Sequence, residues 1–222
     1  MKRIQAQGIS KQYGTGDTAV AALKEVNFTI NEGEFVSIMG ESGSGKSTLL
    51  SIVGTLNRPT TGRLLVDDVD VYALGQDARA DFRRESIGFV FQNFNLIPYL
   101  TLAENVMLPL ATAGEKKAKK RAKALAALER VGLAQKAGRL PGQISGGEQE
   151  RVAIARAIVG RPPIILADEP TGNLDSKTGK EIMAIVHSLN SEGMTIIMVT
   201  HNADYADYAN RVLRVADGVL LQ

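Results

Sequence analysis

Three features of this 222-residue sequence predict an α/β fold with a mostly parallel sheet. Short continuous apolar runs recur at Ile87 to Phe91, Ile164 to Ala167 and Thr195 to Thr200, the pattern of strands that helices cover on both faces. Helical periodicity stands between them, as in Ile182, Ile185, Val186 and Leu189. A glycine-rich loop, Gly40 to Ser47, joins a strand-like run to an apolar helical pattern.

The elements follow in chain order. Val26, Phe28 and Ile30 alternate before the turn Asn31-Glu32-Gly33, Glu34 to Met39 runs into the loop, and Arg63 to Val71 follows Thr61-Gly62. These read as the first strands and give an N-terminal antiparallel β subdomain. After the loop, Leu49, Leu50, Ile52, Val53 and Leu56 mark a helix. Residues 93–160 read as mostly helical and interrupt the strand-helix alternation, as an inserted α-helical subdomain would. Asp175-Ser176 can cap the helix that follows, and Ala216-Asp217-Gly218 between Val215 and Val219 reads as a tight hairpin. The expected organisation is one domain over 1–222, with a core from 1–92 and 161–222 and the helical insert at 93–160.

Composition narrows the class of function. At 44% hydrophobic residues the chain can bury a substantial core. It has no cysteine, so disulfides and thiolate metal sites are excluded, which fits a reducing compartment. Met1 to Ser10 contains no apolar signal region, and the longest apolar runs are too short to span a bilayer, so a soluble chain is expected. A net charge of +2 gives no reason to expect a nucleic-acid partner.

Gly40-Glu41-Ser42-Gly43-Ser44-Gly45-Lys46-Ser47 matches G-x-x-x-x-G-K-[ST], in the strand-loop-helix context that the motif requires. Its glycines let backbone N–H groups face phosphate oxygens, and the helix after it presents a positive dipole end to the same anion. The motif predicts a P-loop NTPase core, with ATP as the expected nucleotide and Gly40 to Thr48 as the phosphate-binding residues, but kinases, GTPases and motors share this loop and it does not choose among them. Lys46 would contact the β and γ phosphates, and the Ser47 hydroxyl would ligate Mg2+.

Ile164 to Ala167 ends in Asp168-Glu169. Asp168 is the expected Mg2+ partner, and Glu169 is the base that polarises water for in-line attack. Gln92 and His201 also follow apolar strands, and in an open parallel sheet the carboxyl ends of the strands converge on the ligand. His201 is expected at the γ-phosphate and Gln92 at the metal or water, whereas His187 lies off the apolar stripe of its helix and reads as surface. Ser145-Gly146-Gly147-Glu148, ahead of a helix read as Val152 to Val159, offers a second anion-binding N-terminus or an ordinary helix cap.

The order of the phosphate loop, Gln92, Ser145-Gly146-Gly147, Asp168-Glu169, Asn173-Leu174-Asp175 and His201 resembles that of ATP-binding-cassette (ABC) proteins, over essentially the whole chain. The resemblance implies a homodimer with two ATP sandwiched between subunits, so that Ser145, Gly146, Gly147 and Glu148 act on the partner's nucleotide. It further implies that Asn173 to Asp175 crosses the interface and that Tyr13 stacks on adenine. The sequence departs from the commonest pattern at Ile144 and Glu148, and Glu148 is expected to face away from phosphate or toward a base.

Phe91 to Pro98, Leu102 to Val106 and Pro170 to Asp175 look like the macrolide-exporter and lipoprotein-release branch. That branch implies integral membrane permease subunits on separate chains, a peripheral position on the cytoplasmic face of the membrane, and export or extraction of a substrate. Phe94, Leu96 and Ile97 would then form part of the groove for the permease, with core packing as the alternative. A cell-division or signalling switch that transports nothing is the competing function. DNA-repair and translation members generally need coiled coils or two cassettes, and neither is seen in the sequence. The cluster Lys116, Lys117, Lys119, Lys120, Arg121 and Lys123 precedes the stripe Ala124, Leu125, Leu128 and Val131 and reads as a solvated helix face.

Overall fold

A computed structural model describes residues 3–112 and 114–221 of the chain. The order is β1 (Ile4–Tyr13), β2 (Val20–Ile30), β3 (Phe35–Met39), α1 (Lys46–Val53), β4 (Thr61–Val66), β5 (Val69–Asp70), α2 (Gln76–Ser86), β6 (Ile87–Val90) and α3 (Leu102–Met107). Then follow α4 (Lys117–Arg130), α5 (Gly146–Ile158), β7 (Ile164–Asp168), α6 (Ser176–Ser191), β8 (Thr195–Val199), α7 (Ala203–Ala206), β9 (Arg211–Ala216) and β10 (Val219–Leu221).

Two sheets form. The antiparallel one has the order β2-β1-β4-β5, and its central strand β1 is not apparent in the sequence. The reason is a broken alternation: Ile4, Ala6 and Ile9 are buried, but the pairing register shifts between Ala6 and Ile9, where Gly8 has φ 60°. Arg63 to Val71, expected as one strand, is the hairpin β4-β5 instead. Asp67 and Asp68 turn it at φ 50° and 63°, a left-handed conformation that Asp tolerates better than most residues.

The second sheet has the order β10-β9-β3-β8-β7-β6, parallel throughout except for the terminal hairpin of β9 and β10. Alternate residues of β7 serve two cores. Ile165 and Ala167 pack with Leu102, Leu128, Ile154 and Ile182 of the helices. Ile164 and Leu166 pack with Leu49 and Ile52 of α1 and with Leu64 of the antiparallel sheet. Both faces are covered, which is why these strands read as unbroken apolar runs.

The region 93–160 is mostly helical as expected, but its first residues, 93–101, form a loop. Fully buried Asn105 of α3 organises this loop. Its Oδ1 accepts from the Ile97 N–H at 2.7 Å, and its Nδ2 donates to the carbonyls of Ile97, Leu100 and Thr101 at 3.0 to 3.1 Å. Helix α5 starts at Gly146 rather than Val152, because Ser145 and Glu148 close a reciprocal capping box. Helix α2, polar on nearly every face, carries no apolar stripe from which it could be read. On α4, Lys119 and Lys123 pair with Glu115 while Ala124, Ala127 and Leu128 are buried. No helix among the described residues is long and apolar enough to cross a membrane.

Candidate active site

The loop between β3 and α1 is shaped by close backbone approach. Gly45 has φ 107°, and a Cβ there would lie 2.4 Å from the Ala22 carbonyl oxygen, so no other residue fits without rearrangement. Helix α1 has no side-chain cap and no acidic residue in its first turn. Its first N–H groups therefore stay available to an anion. Lys46 is buried, and its ammonium donates to the Glu41 carbonyl at 2.6 Å, inside the curve of the loop.

Beside the loop, the Ser47 hydroxyl donates to Asp168 Oδ1 at 3.1 Å. Burial raises the Asp168 pKa, the neighbouring Glu169 charge adds to the rise, and Ser47 and Lys46 oppose it. A hydroxyl and a carboxylate brought together next to a phosphate cradle are hard oxygen donors, the set that suits Mg2+.

Glu169 occupies the turn after β7 with φ 47°, and its N–H donates to the Val199 carbonyl at 3.0 Å. A non-glycine residue held in the left-handed region marks a backbone that its surroundings over-determine. One oxygen, Oε2, faces Gln92 Nε2 at 3.3 Å and His201 Nδ1 at 3.2 Å. Asn173 Nδ2 donates to the Gln92 carbonyl at 3.0 Å. The ends of β6, β7 and β8 thus bring Gln92, Asp168, Glu169 and His201 together at the end of the phosphate loop. Gln92 and His201 both address Glu169 here.

The other expected site residues lie apart from this cluster. Ser145 caps α5, Glu148 ion-pairs with Lys136, and that pairing together with the Ser145 N–H holds the Glu148 pKa below its ordinary value. Glu148 is thereby turned to a base. Gly147 packs tightly on α6, since a Cβ there would meet Thr178 Cγ2 at 2.3 Å. Gly146 is more open, with nothing nearer than 3.8 Å to such a Cβ. Among the described residues, Ser145 to Glu148 make no hydrogen bond to Gly40 to Thr48. Tyr13, at the end of β1, is 42% exposed, with its hydroxyl accepting from Asn57 Nδ2 at 3.0 Å and Lys11 Nζ 5.0 Å from its ring centre. His187 is exposed and packs edge-on against Tyr208.

A groove of about 560 Å³ lies where α2, β6 and α5 meet, lined by Leu56, Arg83, Ile87, Phe89, Phe91 and Pro109 among others. Phe94, Leu96 and Ile97 are not part of its lining, and Leu96 packs against the helical core instead. Two buried polar residues of α5, Glu150 and Arg156, escape a reading for active-site motifs. They occupy positions on an otherwise apolar face, a signal that periodicity alone assigns to neither core nor site.

With this geometry in hand, known proteins offer close parallels. A family model described as "ABC transporter" matches residues 23–172. The lipoprotein-releasing system ATP-binding protein LolD of Geobacter metallireducens is 49% identical, covering 97% of this chain and 96% of that protein. The macrolide export ATP-binding/permease protein MacB of Syntrophobacter fumaroxidans is 47% identical over 99% of this chain, which spans 31% of that longer protein. The dimeric structure of the ATP-binding cassette MJ0796 of Methanocaldococcus jannaschii, in a post-hydrolysis state with ADP and Pi, superposes with a TM-score of 0.91. It is 46% identical, and the match covers 99% of this chain and 97% of that one.

Proposed function

The chain belongs to the ABC transporter family, and on that premise we propose which of its residues turn ATP over and what the turnover drives. It is an ATPase cassette that binds ATP, dimerises, and serves as the ATP-binding subunit of a transporter with separate membrane permease subunits. Gly40 to Thr48 bind the phosphates through backbone N–H groups, and the Lys46 ammonium exchanges the Glu41 carbonyl for phosphate oxygens. Ser47, Asp168 and Gln92 are the residues that hold Mg2+, which when bound neutralises phosphate charge.

One observation carries the catalytic assignment: Gln92 and His201 both converge on Oε2 of Glu169, beside the Ser47–Asp168 pair. That arrangement leaves Oε1 of Glu169 to receive a water. Glu169 takes the proton as the water oxygen bonds to the γ-phosphorus and the bond to the bridging oxygen breaks, releasing ADP. His201 and Gln92 fix the orientation of the carboxylate. Glu169→Gln keeps the shape and removes the base, so it should abolish turnover while ATP still binds and a stable ATP-bound dimer accumulates. An unchanged hydrolysis rate would remove Glu169 from the mechanism.

Each site is completed by Ser145, Gly146 and Gly147 of the second subunit, and Tyr13 stacks on adenine. Support comes from the separation of Ser145 to Glu148 from the phosphate loop within one subunit and from the dimeric cassette with which the chain superposes. The core at 1–92 and 161–222 holds the nucleotide, and the helical unit at 93–160 carries the residues for the partner's nucleotide. The cassette sits on the cytoplasmic face of the membrane. There the apolar groove at Leu56, Phe89 and Phe91 receives a short helix of the permease. Given relatives named for lipoprotein release and macrolide export, the work done is export, or extraction of a substrate from the membrane.

A further inference from the structure

Arg156 is a cation inside the protein, on α5 and nearly inaccessible to solvent. A buried guanidinium is expected to face a carboxylate, and Glu150 is buried on the same helix. Yet neither oxygen of Glu150 has a hydrogen-bond partner among the described residues. The Arg156 fork is committed elsewhere: Nη1 donates to the Asn95 carbonyl at 2.5 Å and Nη2 to the Phe94 carbonyl at 2.6 Å.

Those carbonyls belong to an unusual piece of backbone. Phe94 and Asn95 both have positive φ, 59° and 48°, and two consecutive non-glycine residues in this region need an external constraint to stay there. A planar fork with fixed donor directions can supply it, because it holds two successive carbonyls in one orientation. Only Asn93 separates Phe94 from Gln92, which reaches Glu169 Oε2. On the other side, the Phe94 ring lies against the start of α5, with Cζ 4.0 Å from where a Cβ on Gly146 would be.

We infer that Arg156 is a positioning residue that locks the Gln92 loop onto the helix capped by Ser145, so that the two halves of the catalytic apparatus in one subunit move as a unit. Helix α5 runs unbroken from Gly146 to Ile158, so Arg156 lies on the same helix that carries Ser145 to Gly147 at its N-terminus. When those residues engage the partner's nucleotide, the displacement reaches Gln92 through Arg156 and two backbone carbonyls, and Gln92 sets the orientation of Glu169. Lysine cannot replace the fork, since a single ammonium does not hold both carbonyls in one plane.

This inference rests on the reading of Gln92 as part of the site, so its test is a double-mutant cycle on the full chain, with ATP hydrolysis as readout. Arg156→Lys should lower kcat by about ten- to a hundredfold while KM for ATP stays within about twofold, because the phosphate loop is untouched. Gln92→Ala should itself lower kcat, and adding Arg156→Lys to it should change kcat by less than about twofold. If lysine prevents folding, Arg156→Gln, which keeps a planar amide donor for one carbonyl, enters the same cycle. Full additivity of the two losses would overturn the positioning role and leave the Gln92 assignment standing. A Gln92→Ala variant with unchanged kcat would overturn both. A rise in KM with kcat preserved would also overturn it.

Discussion

Glu150 sets up a quantitative test of how the helical core is stabilised. It is wholly buried, its oxygens have no hydrogen-bond partner among the described residues, and burial pushes its pKa from 4.5 up to about 8, with Arg156 opposing the rise. In the unfolded chain the carboxyl regains its ordinary pKa. Between these two values the folded protein holds a proton that the unfolded chain has released, so stability falls as pH rises through the window. Below it the group contributes nothing, and above it the whole penalty applies. Integrating the linkage relation from about pH 5.5 to about pH 8.5 gives a loss of about 3 kcal/mol from this one residue. Glu150→Gln keeps the shape and cannot ionise. The amide's own desolvation cost is the same at every pH, so the diagnostic is the change in the difference between variant and wild type. Urea unfolding of both proteins, free of nucleotide, at about pH 5.5, 7 and 8.5 should show the variant's advantage widening by about 3 kcal/mol from the lowest to the highest pH. Parallel stability curves would refute the reasoning, since they would mean that Glu150 does not change protonation between these values.

Two further outcomes follow from the site and the loop. Mixing a Lys46→Ala chain with a Ser145→Arg chain leaves one intact composite site per heterodimer, so an ATP-dependent dimer should form on gel filtration that neither variant forms alone, and its absence would count against action in trans. Asn105→Ala strands the Ile97 N–H and the carbonyls of Ile97 and Leu100, and should cost about 2 to 4 kcal/mol in urea unfolding through the loss of buried hydrogen bonds.

Local patterns carried much of this protein. The phosphate loop was legible because close backbone approach at Gly45 demands glycine, and the flanking strand and helix have clean periodicity. The strands β6, β7 and β8 were legible because burial on both faces keeps their interiors apolar and leaves polar residues only at their ends, Thr195 and Asp168. Strand β1 was not, since its bulges break the alternation that would mark it. The start of α5 was hidden for a related reason: Gly146 and Gly147 lower helix propensity, and the capping box that overrides them depends on side-chain geometry.

By itself the sequence determined the α/β class, the order of the motifs and the chemical character of the residues that end each strand, because these depend on contacts between near neighbours in the chain. Only the tertiary structure decided that Gln92 and His201 meet on one oxygen of Glu169, that Glu148 turns to Lys136, and that Leu56, Phe89 and Phe91 come together to line an apolar groove. Each of these joins residues far apart in sequence or depends on the direction of a loop. Arg156 shows why such facts resist local reading: its partners are backbone carbonyls of residues 94 and 95, and a carbonyl's direction is set by torsion angles that no residue type reveals.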